Sequence, residues 1–304
     1  MNDCSFSLSL EQLNQYRADT FRTRPGKNLK SIEEAIEYVN QRGFIFFWPM
    51  KGMVFPSLWT AAAGNRPVAD EHDDPGHITW GWKDNLLGKK QWFYSRLLCS
   101  KNTILSLSTL PFFYALSPNY GDPESDYLFE YQQGYLTMEA RVVYEALLEK
   151  GPLDTIQLRK AARLSSPENS SRFNRALTDL QRKFRVVPCG ISDSGAWHYS
   201  FIYDVVHRQF PELIDQCRFI TDKEARKNIL THYMNSLGAA SLRDIRKVLG
   251  WETKDITTTL EILCKENFIL PGVNLIEPLE NGKRNSPQKQ NDEFERLYCL
   301  AILQ

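Results

Sequence analysis

Ser165 to Gly190 reads SSPENSSRFNRALTDLQRKFRVVPCG, and the way it is parsed decides the fold. Phe173, Leu177, Leu180 and Phe184 recur at i, i+4, i+7 and i+11, the spacing of one buried face on an α-helix. Pro167 stands where a first helical turn tolerates proline. Behind this stripe the chain turns β-like: "FRVVPCG", a turn "ISDSGA", then "WHYSFIYDVV". Ahead of it, Thr137 is placed to cap a helix with Ala140, Val143, Tyr144, Leu147 and Leu148 on one face, ended by Gly151-Pro152. A short helix from Thr155 follows, with Leu158, Ala161 and Ala162 on one side. Three helices and then a hairpin is the order of a winged helix-turn-helix, whose third helix enters the DNA major groove.

With that stripe turned inward, Asn169, Ser170, Arg172, Asn174, Arg175 and Arg182 are left outside, with Arg163 just before the helix and Arg185 at the base of the wing. Between Thr155 and Arg185 the chain carries eight basic residues, Arg159, Lys160, Arg163, Arg172, Arg175, Arg182, Lys183 and Arg185, against Glu168 and Asp179. Arginine can grip guanine or phosphate with two parallel hydrogen bonds and asparagine can read adenine, so this is a candidate DNA-binding set. The same face would also serve a winged helix that binds protein. Trp197, His198 and Tyr199 on the return strand can lie on DNA or pack inside.

The pattern returns in shorter form downstream. Residues 222–237 read as a helix, "SLRDIRKVLG" as a second capped by Ser241, and "ETKDITTTLEILCKEN" as a third leading into "FILPG". After Pro278 the run "LENGKRNSPQKQND" reads as a linker, and "EFERLYCLAILQ" as a terminal docking helix. Upstream, residues 8–20 and 31–42 have helical patterning, the latter capped by Ser31 and stopped by Gly43. An apolar extended run from Phe44 to Pro49 and a short helix over 56–63 follow. Residues 78–82 read as a strand, 85–98 as a helix, and "NTILSLSTLPFFYALSP" as strand then helix. "NYGDPESDY" marks a boundary. The expected fold is α+β, mostly α, with tandem winged helix-turn-helix domains and small β-hairpin wings. Its expected segments are an N-terminal helical, winged-helix-like domain over 1–125, winged-helix domains over 126–215 and 216–275, and linker plus docking helix over 276–304.

One stretch has a chemistry of its own. His72 to Asp84 reads HDDPGHITWGWKD. Asp74-Pro75-Gly76-His77 has the sequence of a type II turn, which would bring Asp74 to His77, orient the imidazole and raise its pKa. Asp73, Asp74, His77 and Asp84 are therefore the candidates for any acid–base work. Trp80 and Trp82 would share one strand face and are candidates for stacking on a base, or simply core. No His-x-x-x-His helix or cysteine set accompanies them, so no metal and no cofactor are expected.

The 304 residues are 42% hydrophobic with zero net charge, an ordinary globular composition that names no partner. Cys4, Cys99, Cys189, Cys217, Cys264 and Cys299 lie far apart with no C-x-x-C pair, against a disulfide framework. No apolar run approaches the length of a membrane span, so a soluble, cytoplasmic protein with no membrane partner is expected.

Taken together, the paired winged-helix patterns, the glycine-apolar segment after Gly43 and the region "GWKDNLLGKKQWFYSRLL…TLPFFYALSPNYGDP" resemble the AlkZ/YcaQ-type DNA glycosylases, which excise alkylated or crosslinked purines. The resemblance spans roughly residues 8 to 270 as an order of segments. It implies a DNA-repair setting and double-stranded DNA, including damaged duplex, as the partner; it does not bear on oligomeric state. In that family the glycine-apolar segment runs into a Gln-apolar-Gln or Gln-apolar-Asp pair that positions water. Here Phe46, Phe47 and Trp48 occupy those positions, and none can activate water. Three functions stay open: a DNA-binding protein that has lost the catalytic pair, a divergent glycosylase using a carboxylate of the 71–84 loop, and a protein-binding module.

Overall fold

The computed structural model describes residues 7–69, 71, 74–119, 121–195, 198–276 and 297–303. In chain order the elements are β1 (Ser7–Ser9), α1 (Leu10–Thr20), α2 (Ile32–Arg42), β2 (Phe44–Phe46), α3 (Leu58–Ala63), α4 (Ile78–Leu86), β3 (Phe93–Arg96), β4 (Asn102–Leu105), α5 (Leu110–Ala115) and α6 (Asp126–Gln132). There follow α7 (Met138–Lys150), β5 (Leu153–Asp154), α8 (Thr155–Ala161), α9 (Ser170–Arg182), β6 (Val186–Ser192), β7 (Ser200–Val205), α10 (Val206–Gln209) and α11 (Leu213–Cys217). The last are α12 (Asp222–Leu237), β8 (Ala239–Ser241), α13 (Leu242–Leu249), α14 (Thr253–Lys265), β9 (Ile269–Ile276) and β10 (Leu297–Leu300). This is a mixed α+β fold, about half helical with small sheets. Among the described residues no helix is long and apolar enough to cross a membrane.

The chain forms two compact units, Met1–Thr79 with Arg226–Gln304, and Trp80–Ala225. That division differs from the four consecutive segments the sequence suggests, because the two ends of the chain fold together. β1 pairs in parallel with β9, which pairs with β10, which pairs with β8. Arg17 of α1 donates to the carbonyls of Leu237 (3.0 Å) and Ala239 (2.8 Å), and Tyr16 to that of Asn235 (2.7 Å). Pairing across more than two hundred residues of sequence leaves no local trace. In the second unit the core gathers Val143, Tyr144 and Leu147 of α7, Leu158 of α8, and Phe173, Leu177 and Leu180 of α9. These are the stripes read from the sequence.

The order helix, strand, helix, helix, strand, strand occurs three times: α2 to β4, α7 to β7, and α12 to β10. In the latter two the sheets match strand for strand, since the first strand pairs antiparallel with the last and the last with the middle one, giving β5-β7-β6 and β8-β10-β9. The tail expected as a docking helix thus supplies the closing strand of the third repeat. All four residues of β10 are buried. A central strand covered on both faces shows a continuous apolar run without alternation, and periodicity cannot distinguish this from a short buried helix.

Two other expectations are reversed. Residues 78–82 belong to helix α4: Thr79, Trp82, Lys83 and Leu86 are buried at i, i+3, i+4 and i+7, and the short Trp-Gly-Trp alternation is the weaker period. Residues 93–96 form strand β3 where the sequence suggests helix. Gly88 and Lys90 both adopt positive φ (72° and 53°), which ends α4 and leaves the aromatic run free to extend. The boundaries of α2 follow the sequence. Ser31 accepts from the Glu34 N–H (3.3 Å), and Gly43 closes α2 at φ 79°.

Candidate nucleic-acid interface

Helix α9 presents two chemically different faces. Phe173, Ala176, Leu177, Leu180 and Gln181 are buried, while Arg172, Asn174, Arg175 and Arg182 are exposed and Asn169 and Ser170 are half-buried. A 3-10 turn over Pro167–Asn169 leads in. Arg159 of α8, outside the expected set, lies over the Phe173 ring (4.6 Å) and donates to Ser170 Oγ (3.1 Å) and Asn174 Oδ1 (3.4 Å). Arg96 at the end of β3 donates to Thr178 Oγ1 (3.1 Å), and its backbone N–H reaches Gln181 Oε1 (3.2 Å). An open groove of about 840 Å³ runs along this face, lined by Arg96, Ser170, Asn174, Arg175, Thr178 and Arg182, with Glu168 and Asp179 as its acidic members. Arg163 is exposed after α8. The groove is wide and arginine-bearing, which suits a phosphate backbone.

Arg185 does not belong to this surface. It is 1% exposed, with Nη1 2.6 Å from Asp126 Oδ1 and Nε 3.3 Å from Glu130 Oε2. Both carboxylates come from α6, more than fifty residues upstream, and nothing near Arg185 in sequence announces them. The basic excess of this segment is therefore partly internal.

The polar loop before α4 also departs from expectation. Pro75–His77 is a 3-10 turn in place of the type II turn, with the Asp74 carboxylate accepting the Gly76 N–H (2.6 Å). A second hydrogen bond comes from Arg66 Nη2 (2.6 Å), and this guanidinium holds the Asp74 carboxyl below the ordinary carboxylate range, with His77 the least of the influences on it. Asp74 is thus committed to Arg66, where the sequence suggests His77. The His77 ring instead meets the Trp48 indole edge-on, centroids 6.4 Å apart. Trp48 is half-buried and Phe46 and Phe47 are buried. His72 and Asp73 lie outside the described residues.

Asp84 is engaged separately, in the second unit. Lys83, 1% exposed, places Nζ 2.6 Å from Asp84 Oδ1 and donates to the Tyr199 hydroxyl (2.7 Å), which donates to Asp84 Oδ1 (2.9 Å). Four rings surround the ammonium: Trp80 and Phe201 at 4.6 Å, Tyr199 at 5.4 Å and Tyr94 at 5.7 Å. Burial pushes the Lys83 amine down and Asp84 opposes the shift. Trp80 is 41% exposed and Trp82 6%, since two residues along a helix point to nearly opposite sides. The pair does not form one stacking face. Asp74, His77 and Asp84 are each held by partners of their own, and among the described residues no three His, Cys, Asp or Glu side chains gather as metal ligands.

No curated protein matches this sequence. Among solved structures it is similar to the Streptomyces sahachiroi DNA glycosylase AlkZ, with a TM-score of 0.58 at 12% sequence identity, over 98% of this chain and 71% of that one. That is a likeness of fold. The model of the AlkZ-related family matches residues 29–250, most of the chain, and the protein therefore belongs to the AlkZ-related family.

Proposed function

We propose that this protein binds duplex DNA through α9, the third helix of the middle of three winged-helix repeats, and lacks the base-excision chemistry of AlkZ-type glycosylases. One observation carries the reading. Of the three helices in that position, only α9 sets several arginines opposite its apolar face. The exposed residues of α4 are Ile78, Trp80, Gly81 and Asn85, and those of α14 are Lys254, Thr258, Glu261 and Lys265. The absence of excision is supported by Phe46, Phe47 and Trp48, whose side chains offer no group that moves a proton, and by the engagement of Asp74 with Arg66 and of Asp84 with Lys83. A general acid or base contributes roughly 100-fold or more to a rate, and these pairings engage two of the four candidate substitutes, Asp74 and Asp84.

The test is a salt titration of duplex binding. Arg172→Ala with Arg175→Ala should weaken binding and reduce the slope of log K against log salt by about one unit for each phosphate no longer neutralised. Unchanged affinity and slope in a folded double variant would exclude α9 as the DNA-binding helix and favour a protein-binding role. A divergent glycosylase is the second reading, favoured by His77 reaching Trp48.

A further inference from the structure

Trp80 is an exposed aromatic ring on a built foundation. Its indole has the Lys83 ammonium 4.6 Å from the ring centroid on one side and the Tyr199 ring edge-on at 6.4 Å, yet 41% of the residue remains exposed. Lys83 is pinned in turn by Asp84 and by the Tyr199 hydroxyl. Beside Trp80, Gly81 leaves open space: a Cβ built there would meet nothing within 4 Å. A mid-helix glycine costs about 0.5–1 kcal/mol relative to alanine, and among the described residues no neighbour requires it.

The foundation is tied to the DNA-binding helix inside the same compact unit. Tyr94 of β3 lies beside Lys83, and the next two residues, Ser95 and Arg96, hold Gln181 and Thr178 of α9. Tyr199 ends the loop between β6 and β7 that forms the wing of the same repeat. The ring is therefore fixed relative to α9 through a strand and a hairpin.

We infer that Trp80 is a stacking platform for an unpaired, uncharged nucleobase, with the Lys83 cation on one side of the ring selecting against cationic bases. The inference rests on the DNA-binding reading above and adds a second, independently testable point of attachment. Aromatic stacking accepts any base, because every base has a π-face. An ammonium near the ring draws on the same quadrupole that would otherwise attract a second cation, so a positively charged base loses the cation–π attraction and meets a like charge. Asp84 attenuates that repulsion, and a few-fold discrimination is the expected size.

Binding of the full-length protein is measured by competition for three duplexes: fully paired, with one unpaired adenine, and with one unpaired 1-methyladenine, which is cationic at neutral pH. An unpaired 2-aminopurine in a fourth duplex reports stacking by its quenching. The wild type should bind the unpaired-adenine duplex roughly tenfold tighter than the paired one, quench 2-aminopurine, and favour adenine over 1-methyladenine a few-fold. Trp80→Ala should abolish the excess affinity and the quenching while leaving paired-duplex binding at its wild-type value. Lys83→Met should erase the preference for the neutral base. If it does not fold, the ratio of neutral to cationic base in the wild type and the Trp80 variant still decide. Excess affinity that survives Trp80→Ala overturns the inference, as does equal or tighter binding of 1-methyladenine by the wild type. Paired-duplex binding without any gain from an unpaired base overturns it and leaves the α9 reading intact, whereas no binding to any duplex removes both.

Discussion

Arg185 and Arg182 are three positions apart and do unlike work. Arg182 lies exposed on the groove, whereas Arg185 is buried against Asp126 and Glu130. Removing one partner of a buried ion network strands the opposite charges in a medium that solvates them poorly, at a cost of about 3–5 kcal/mol. Arg185→Ala should therefore lower stability by that order, and Arg182→Ala should leave it within about 0.5 kcal/mol while weakening DNA binding. Equal stability of the two variants in a urea titration would refute the assignment. His232 gives a pH dependence. Burial, and then the nearby Arg42 charge, push its imidazole below the usual histidine value. Above a pH of about 6.5 it is neutral in both folded and unfolded chains and has no effect. As pH falls below that point the unfolded chain takes up the proton first, so stability declines until the lowered folded pKa is reached. His232→Gln should flatten the stability profile of the protein over that acidic window, and an unchanged slope would show that other groups set it.

At the scale of single elements, helix α4 is where sequence pattern and structure part most clearly, and it is a place to test what its sequence is for. Its five residues Ile78 to Trp82 alternate well enough to pass for a strand, and only the burial of Lys83 and Leu86 reveals the helical period. A lysine at a core position carries no hydrophobic signal, so the pattern is hidden by the residue that matters most to the local electrostatics. Gly81→Ala fills open space on a helix and should raise stability by about 0.5–1 kcal/mol. Gly43→Ala should do the reverse by more than about 1 kcal/mol, because Gly43 has φ 79° and its Cβ would come within 2.6 Å of the His232 ring. Thermal melts of the two variants moving in the same direction would contradict this account. Helices α2, α7, α9 and α13 are legible because each combines a start signal with an uninterrupted stripe. The caps are Ser31 on α2, Thr137 on α7 and Ser241 on α13, and the Pro167 turn introduces α9. Apart from Lys83, which adjoins Asp84, the partners of Asp74, Asp84 and Arg185 are not legible. Side-chain pairing over 8 to 115 residues depends on the finished fold, and the sequence supplies only the charges.

For the whole molecule, family membership and the proposed loss of base excision pull in different directions, and a reaction assay separates them. Duplex containing an N7-alkylated purine should release no base above background when incubated with this protein. Release that persists after changes at Phe46 and Trp48 and disappears with Asp74→Asn or His77→Ala would restore a glycosylase, one built around the loop before α4. The three repeats and the mixed fold are only partly readable in the sequence. The first repeat is obscured by the ambiguous periods of α4 and β3, and the closing strand of the third by the resemblance of Leu297–Leu300 to a buried helical turn. The parallel pairing of β1 with β9 has a further consequence for how the chain is made. Synthesis proceeds at ~5–20 residues per second, so Leu8, fully buried in the finished sheet, waits on the order of ten seconds or longer before its partner strand leaves the ribosome. The unit spanning Trp80–Ala225 has emerged in full by then. Among the described strands β1 waits longest for its partner, and a ribosome-bound holdase that covers apolar segments would serve residues 7–9 through that interval.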